Sequence, residues 1–206
     1  MIFSSSLIED AVNEFSRLPG IGKKTALRLV LHLLKQETHL VEKFSHTIQQ
    51  MREKIQFCKT CHNVADSETC KICNDPTRKK NQICVVETIR DVMAIEATQQ
   101  YSGVYHILGG LISPLDGIGP ENIEIKSLLQ RVGEGVDELI MALNPTMEGD
   151  TTTYFISKKV QPSSLKITIL SRGVAFGGEL EYADEITLAR SFQHRMPIEN
   201  IVNNVI

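Results

Sequence analysis

Two Cys-x2-Cys pairs, Cys58/Cys61 and Cys70/Cys73, lie eight residues apart and restrict what the stretch between them can become. Each pair can fold into a tight knuckle that offers two thiolates to one ion. Two knuckles complete the tetrahedral sulfur shell that zinc prefers. A closed shell of four thiolates leaves no position for water or substrate, so the expected ion is structural Zn2+. Its binding, worth about 10–16 kcal/mol in small zinc peptides, can order a segment that has almost no apolar core. His62 could replace one cysteine, although a fifth ligand is not needed. An iron–sulfur cluster also takes four thiolates, and a redox pair needs only one Cys-x2-Cys; two matched pairs this close favour zinc over both. The fifth cysteine, Cys84, sits in an apolar run and reads as a buried side chain. A disulfide framework is not expected in a reducing compartment.

At 206 residues the chain has room for one ordinary domain and one or two small ones. A hydrophobic fraction of 42% with 23% charged residues is that of a soluble globular protein. No apolar run approaches the roughly 20 residues that span a bilayer. Residues 1–10 lack a basic region followed by a long apolar stretch, so a cytoplasmic setting with no membrane association is expected.

The net charge of −3 hides an uneven distribution. Between Arg17 and Gln36 stand Arg17, Lys23, Lys24, Arg28 and Lys35 with no acid among them. Between Asp116 and Asp150 the balance reverses, with Lys126 and Arg131 facing eight acids. A basic module on a neutral-to-acidic body suits a local grip on an anion rather than global attraction to polyanions.

Apolar spacing divides the chain. Ile8, Ala11, Val12 and Phe15 fall at helical intervals, as do Ala26, Leu29, Val30, Leu33 and Leu34, and then Val41, Phe44, Ile48, Met51 and Ile55. From Ile83 the pattern changes to short apolar runs at 83–86, 104–108, 138–142 and 166–170. Helix-compatible stretches near 89–99, 122–132, 151–160 and 183–193 separate or follow them. Alternation of strand and helix predicts an α/β layer with a largely parallel sheet, and Pro162-Ser163-Ser164 a break before the last strand. The fold class is α/β in several modules. A helix-hairpin-helix region is expected over 1–56, a four-cysteine module over 57–76, the α/β domain over 80–173 and a C-terminal segment and tail over 174–206.

The first two helices are joined by Leu18-Pro19-Gly20-Ile21-Gly22, too short and glycine-rich for anything but a tight connection. Glycine has no Cβ, so a phosphate can approach the backbone at Gly20 and Gly22. The amides there and in the next helical turn would face it, and the helix dipole favours an anion. Lys23 and Lys24 open that helix, and Arg28 follows Lys24 by four residues on the same face. Such contacts read phosphate and carry no base sequence. An ordinary pair of helices with a solvated basic face is the plainer reading; the Leu-Pro-Gly-Ile-Gly string favours the first. The sulfur-bound ion would keep this arm in shape.

Glu87 ends the first apolar run of the α/β domain, and Glu148-Gly149-Asp150 follow the third after Asn144-Pro145-Thr146. Strand carboxyl ends line one edge of a parallel sheet, where ligands bind. Glu87, Glu148 and Asp150 could therefore converge, and Mg2+ could bridge them. Equally, they could be ordinary loop-end acids, with Asp150 capping the next helix.

The succession LPGIGKKTALRLVLHLL, CKTCHNVADSETCKIC, ICVVET, NPTMEGDTTTYFI and SRGVAFGGELEYADEITLARSF resembles the RecR recombination mediator family over essentially the whole chain. The resemblance implies a helix-hairpin-helix, a four-cysteine zinc finger, a Toprim domain and a C-terminal segment resembling a Walker B motif. It implies a role without catalysis in recombinational repair of gapped or damaged DNA. The partners would be RecO and often RecF, and the outcome loading of RecA onto single-stranded gaps. Dimers or ring-like tetramers, built through N-terminal and C-terminal contacts, could encircle DNA, and such a protein would work at the nucleoid. By position, Lys23 and Arg28 match the family's DNA-contacting residues, Cys58, Cys61, Cys70 and Cys73 its zinc ligands, and Glu87 the Toprim glutamate. Glu148-Gly149-Asp150 match the second acidic motif, which in Toprim enzymes is Asp-x-Asp. The longer Glu148 displaces any metal it would hold, and in this family the acidic edge is implicated in holding RecO. No GxxxxGK[ST] accompanies the GGELEYAD segment, so nucleotide hydrolysis is not expected.

A scaffold that grips DNA without cutting it is thus the preferred reading, and Mg2+ is not expected to be required. A Mg2+-dependent Toprim nuclease is the alternative. A topoisomerase would need a tyrosine on a separate strand-passing domain, whereas Tyr101, Tyr105, Tyr154 and Tyr182 all lie within or beside the α/β region. A third reading, a zinc-stabilised interaction module, would leave DNA untouched.

Overall fold

Each of the three N-terminal apolar stripes forms a helix in the computed structural model, which describes residues 4–133, 135–160, 165–174, 177–195 and 197. The chain divides into two compact units, one ending at Ile55 and the other beginning at Gln56. In the first, α1 (Ser6–Ser16) and α2 (Lys23–Leu34) bury Val12, Ala26 and Val30 between them, flanked by Ile8, Phe15, Ile21 and Leu27. A third helix, α3 (Thr38–Lys54), buries no residue of its own. Its apolar face, with Phe44, Ile48 and Met51, is 45–56% exposed. The stripe is helical as its spacing predicts, but the face stands open.

The second unit begins with a two-stranded antiparallel ribbon, β1 (Gln56–Phe57) with β2 (Val64–Ala65), and the single turn α4 (Lys71–Asn74). The α/β layer follows as β3 (Lys79–Val86), α5 (Ile89–Ala97), β4 (Gly103–Ile107), α6 (Ile125–Val132), β5 (Glu138–Met141), α7 (Met147–Lys159), β6 (Lys166–Ile169) and α8 (Glu185–Gln193). The strands lie in the order β4-β3-β5-β6, and every pairing among them is parallel. Ile83 and Val85 face one side of β3 and pack with Leu139, Met141, α6 and α7 through Leu128 and Ile156. Cys84 and Val86 face the other, against Tyr105, Ile107 and α5 through Val92. Burial on both faces is why this strand reads as a continuous apolar run rather than an alternation. Burial also pushes the Cys84 thiol up to about 12, as befits a core side chain.

All four apolar runs are strands. The helices differ at their ends, most at α7, which starts at Met147 and not near Thr151. Thr146 is its cap, its Oγ1 accepting from the Gly149 amide at 3.1 Å. Glu148 and Asp150 therefore lie in the first helical turn, and Asp150 caps nothing there. The Pro162-Ser163-Ser164 break lies outside the described residues. No helix among the described residues is long and apolar enough to cross a membrane.

Candidate nucleic-acid, metal and acidic-edge sites

The bend before α2 is a tight turn. The Ile21 amide donates to the Leu18 carbonyl at 3.1 Å, Pro19 holds the second position, and Gly20, at φ +79°, the third. This is the type II pattern, which needs glycine where φ is positive. Gly22 then caps α2 without a side chain. The first backbone bond of the helix runs from the Ala26 amide to the Gly22 carbonyl at 2.9 Å. The amides of Lys23, Lys24 and Thr25 thus have no helical acceptor and point out of the N-terminus. No acid occupies that first turn, and nothing lies within 4 Å of where a Cβ would stand at Gly20 or Gly22. Lys23, Lys24 and Arg28 are all exposed. The same face continues beyond the residues singled out by sequence. A shallow hollow of about 450 Å3 along α2 is lined by Lys24, Arg28, His32 and Lys35 with Leu27 and Leu31. The four-residue step from Lys24 to Arg28 to His32 is the signal that could have extended the candidate set.

The sulfur atoms of Cys58, Cys61, Cys70 and Cys73 all lie within 4.8 Å of one another. Three of these cysteines are buried and Cys73 is half-buried. Both knuckles are held by amide hydrogen bonds: His62 N–H to the Cys58 carbonyl at 2.9 Å, and Cys73 N–H to the Cys70 sulfur at 3.4 Å. A hydrogen bond with Cys73, together with burial, drives the Cys61 thiol upward, while burial raises Cys70 to about 11. Cys58 goes the other way, to about 6: burial opposes its ionisation, but amide hydrogen bonds from Cys70, Cys61 and Thr60 outweigh it. Thiols that hinder one another's ionisation suit a dication that displaces their protons.

His62 does not join the sulfurs. Its backbone sits in the left-handed region at φ +62°. Its Nε2 lies 3.0 Å from Ser127 Oγ and 3.5 Å from a Glu124 carboxylate oxygen on the α/β body. Beside it the Ile107 amide donates to the Cys61 carbonyl at 2.9 Å, so a zinc knuckle extends the edge of β4. Ile72 packs both on the sulfur cluster and on the face of the sheet. The four-cysteine module belongs to the second unit. Its backbone and His62 join it to the flank of the α/β domain.

At the carboxyl edge of the sheet, Glu87 follows β3 and accepts from Asn144 Nδ2 at 3.3 Å. Gly149 is inside α7 because any Cβ there would overlap the Asn144 carbonyl oxygen. Asp150 is engaged by arginines, Arg172 at 2.6 Å and Arg190 at 3.8 Å. The hydrogen bond from Arg172 holds its carboxyl below the usual carboxylate range, with Arg190 adding to the effect. Among the described residues only the four cysteines bring three or more metal-ligating atoms within 4.8 Å of one another. Glu87, Glu148 and Asp150 reach one edge without forming such a group. In the C-terminal segment, Leu180–Tyr182 form a 3-10 turn and Asp184 caps α8, accepting from the Thr187 amide at 2.9 Å.

Four family models match in the same order along the chain. They are the RecR helix-hairpin-helix over 8–52, the RecR four-cysteine zinc finger domain over 55–75, the Toprim domain over 81–171 and the RecR C-terminal model over 173–196. The recombination protein RecR of Bacteroides fragilis is 56% identical over 194 residues, covering 94% of this chain and 95% of its own. That of Flavobacterium johnsoniae is 56% identical over 205 residues, 99% of this chain and 100% of its own.

The chain belongs to the RecR family.

Within that family description, the four cysteines are the placed ligands of a zinc finger, and structural Zn2+ fits their buried, all-sulfur shell. The RecR helix-hairpin-helix model spans the turn at Gly20 and the cations from Lys23 to Lys35. Arg172 falls between the Toprim and C-terminal matches and Arg190 within the latter. Both lie in the SRGVAFGGELEYADEITLARSF stretch, but nothing in that stretch marks either as an ion-pair partner of the distant Asp150.

Proposed function

We propose that this RecR-family protein is a non-catalytic DNA-binding scaffold in recombinational repair. It would work with RecO, and with RecF where present, to load RecA on single-stranded gaps. The observation that carries the DNA-binding part is the start of α2, where three free amides, a glycine turn open to close approach and exposed Lys23, Lys24 and Arg28 share one end of a helix. One subunit supplies few cations, so the grip gains from several subunits through effective concentration. The open apolar face of α3 favours self-association into a dimer or ring tetramer.

The acidic edge is read as a contact for RecO. A Toprim nuclease is disfavoured by the ion pairs at Asp150, which already answer its charge with two guanidiniums. The test is electrophoretic mobility and anisotropy on gapped, single-stranded and duplex DNA of unrelated sequences. Wild-type protein should bind with little sequence preference and strong salt dependence, and Lys23→Ala with Arg28→Ala should bind far more weakly. Mg2+-dependent cleavage abolished by Glu87→Gln would overturn the non-catalytic reading. Loss of RecO binding on Glu87→Gln or Glu148→Gln is the expected sign of the acidic contact.

A further inference from the structure

The C-terminal helix α8 rests lightly on the α/β body. None of its residues is buried, and Ile186 and Phe192 are 67% and 71% exposed. Beneath it, between α5 and the ends of β5 and β6, is a cavity of about 690 Å3 with Ile95, Leu143, Leu170 and Ile186 on its walls. Apolar packing is therefore incomplete where the helix meets the sheet. Polar contacts make up part of the difference. The Val174 amide donates to Ser191 Oγ at 3.1 Å, and Arg190 reaches Asp150. Arg172, in the segment after β6, holds the other oxygen of the same carboxylate at 2.6 Å. Asp150 thus sits between an arginine of the segment that follows β6 and an arginine carried by the helix.

We propose that Asp150 is a clasp for the C-terminal segment, and that a cationic surface binding the acidic edge competes with Arg190 for it and so loosens α8. The position that serves a metal in Toprim enzymes would here join two parts of the chain. Occupancy of the acidic edge would then be coupled to the placement of Leu180, Tyr182, Ile186 and Phe192, an apolar set that is 67–79% exposed. By reciprocity, a partner that fixes α8 would weaken binding of a cation at Asp150. The coupling, though not the clasp, rests on the reading that the acidic edge receives a basic partner.

Amide hydrogen exchange separates the two. Asp150→Asn keeps the shape of the side chain and removes its charge; Arg190→Gln removes the other end. Each should speed exchange of the 188–193 amides by roughly two- to fivefold, the range of a partly exposed ion pair. Amides of β5 should be unchanged, which reports an intact sheet. The double variant should exchange no faster than the faster single one, because both break one contact. Unchanged α8 exchange in Asp150→Asn, with β5 intact, overturns the clasp. A short oligolysine peptide then serves as the cationic probe. It should speed α8 exchange in wild type and leave Asp150→Asn unaffected. Probe bound at Glu87 and Glu148 with α8 exchange unmoved overturns the coupling. A probe that fails to bind overturns the acidic-edge reading, while the variants still decide the clasp.

Discussion

Replacing Lys23 and Arg28 together by alanine tests the nucleic-acid face in a way that affinity alone cannot. Both side chains are exposed, so their removal leaves the Val12–Ala26–Val30 core untouched, and alanine is a good helix former. Circular dichroism and the thermal midpoint should match wild type. Each phosphate neutralised contributes about −0.9 to the slope of log K against log salt on duplex and about −0.7 on single strands. Two lost contacts should flatten that slope by about 1.8 on duplex and about 1.4 on single strands for each engaged subunit. Over a fourfold rise in salt, wild type should lose about twelvefold more affinity than the variant on duplex, and about sevenfold more on single strands. Fluorescence anisotropy of a labelled oligonucleotide across such a salt series reads the slope directly. Parallel salt plots for a folded variant and wild type would refute the assignment of these two cations to phosphate, even if absolute affinity fell.

Three further outcomes follow from buried groups. Thr152 is fully buried, its Oγ1 accepting from the Ile112 amide at 2.9 Å and donating to the Glu148 carbonyl at 2.7 Å. Thr152→Val should strand that amide and cost about 1–3 kcal/mol in urea unfolding; a change within error sinks the account. His106 is buried between the Glu124 carbonyl, 2.7 Å from Nε2, and Arg131, which donates to Nδ1 at 3.0 Å. Burial chiefly, and the Arg131 charge secondarily, press its pKa down to about 3. The unfolded histidine takes up its proton near 6.5, so the unfolded state binds the extra proton between those values. Stability should fall through that window as pH drops, by a few kcal/mol at most in order of magnitude. His106→Gln should show a shallower fall on acid titration of unfolding, and identical slopes would contradict this. Finally, one Zn2+ per chain is expected by elemental analysis. Stripping it with a chelator should lower the unfolding midpoint of the α/β domain and expose the Ile107 amide to exchange. Chelation that disturbed only α1–α3 would reverse the assignment of the zinc module to the second unit.

What the sequence made legible and what it hid have separate physical causes. The strands were legible because a parallel sheet covered on both faces demands unbroken apolar runs, and 83–86 is one. The helical arm was legible because its stripe and its glycine turn are local. The start of α7 was not, because Glu148-Gly149-Asp150 looks like a loop. Only the Asn144 carbonyl pressed against Gly149 and the Thr146 hydroxyl bonded to its amide show why a glycine opens this helix. The acids at 87, 148 and 150 could be placed on one edge from topology alone. Their charges could not be paired, since the order of residues does not show which distant arginine meets a given carboxylate.

The role of the zinc module illustrates the same limit from the opposite side. Spacing fixes which four atoms meet one ion, and the sulfur atoms do gather within 4.8 Å. Spacing does not say which body the closed loop leans on. That depends on two single contacts, a β4 amide on the Cys61 carbonyl and a histidine whose positive φ turns its ring toward Ser127. A non-glycine residue in that region is strained unless its surroundings hold it there, and His62 finds those surroundings on α6 rather than at the ion. The consequence is directional. An ion that braced only the N-terminal arm could be lost with little effect on the acidic edge. An ion that completes the flank of β4 supports the sheet at whose carboxyl edge Glu87 and the start of α7 with Asp150 lie, so metal loss and weakened acidic-edge contacts should appear together.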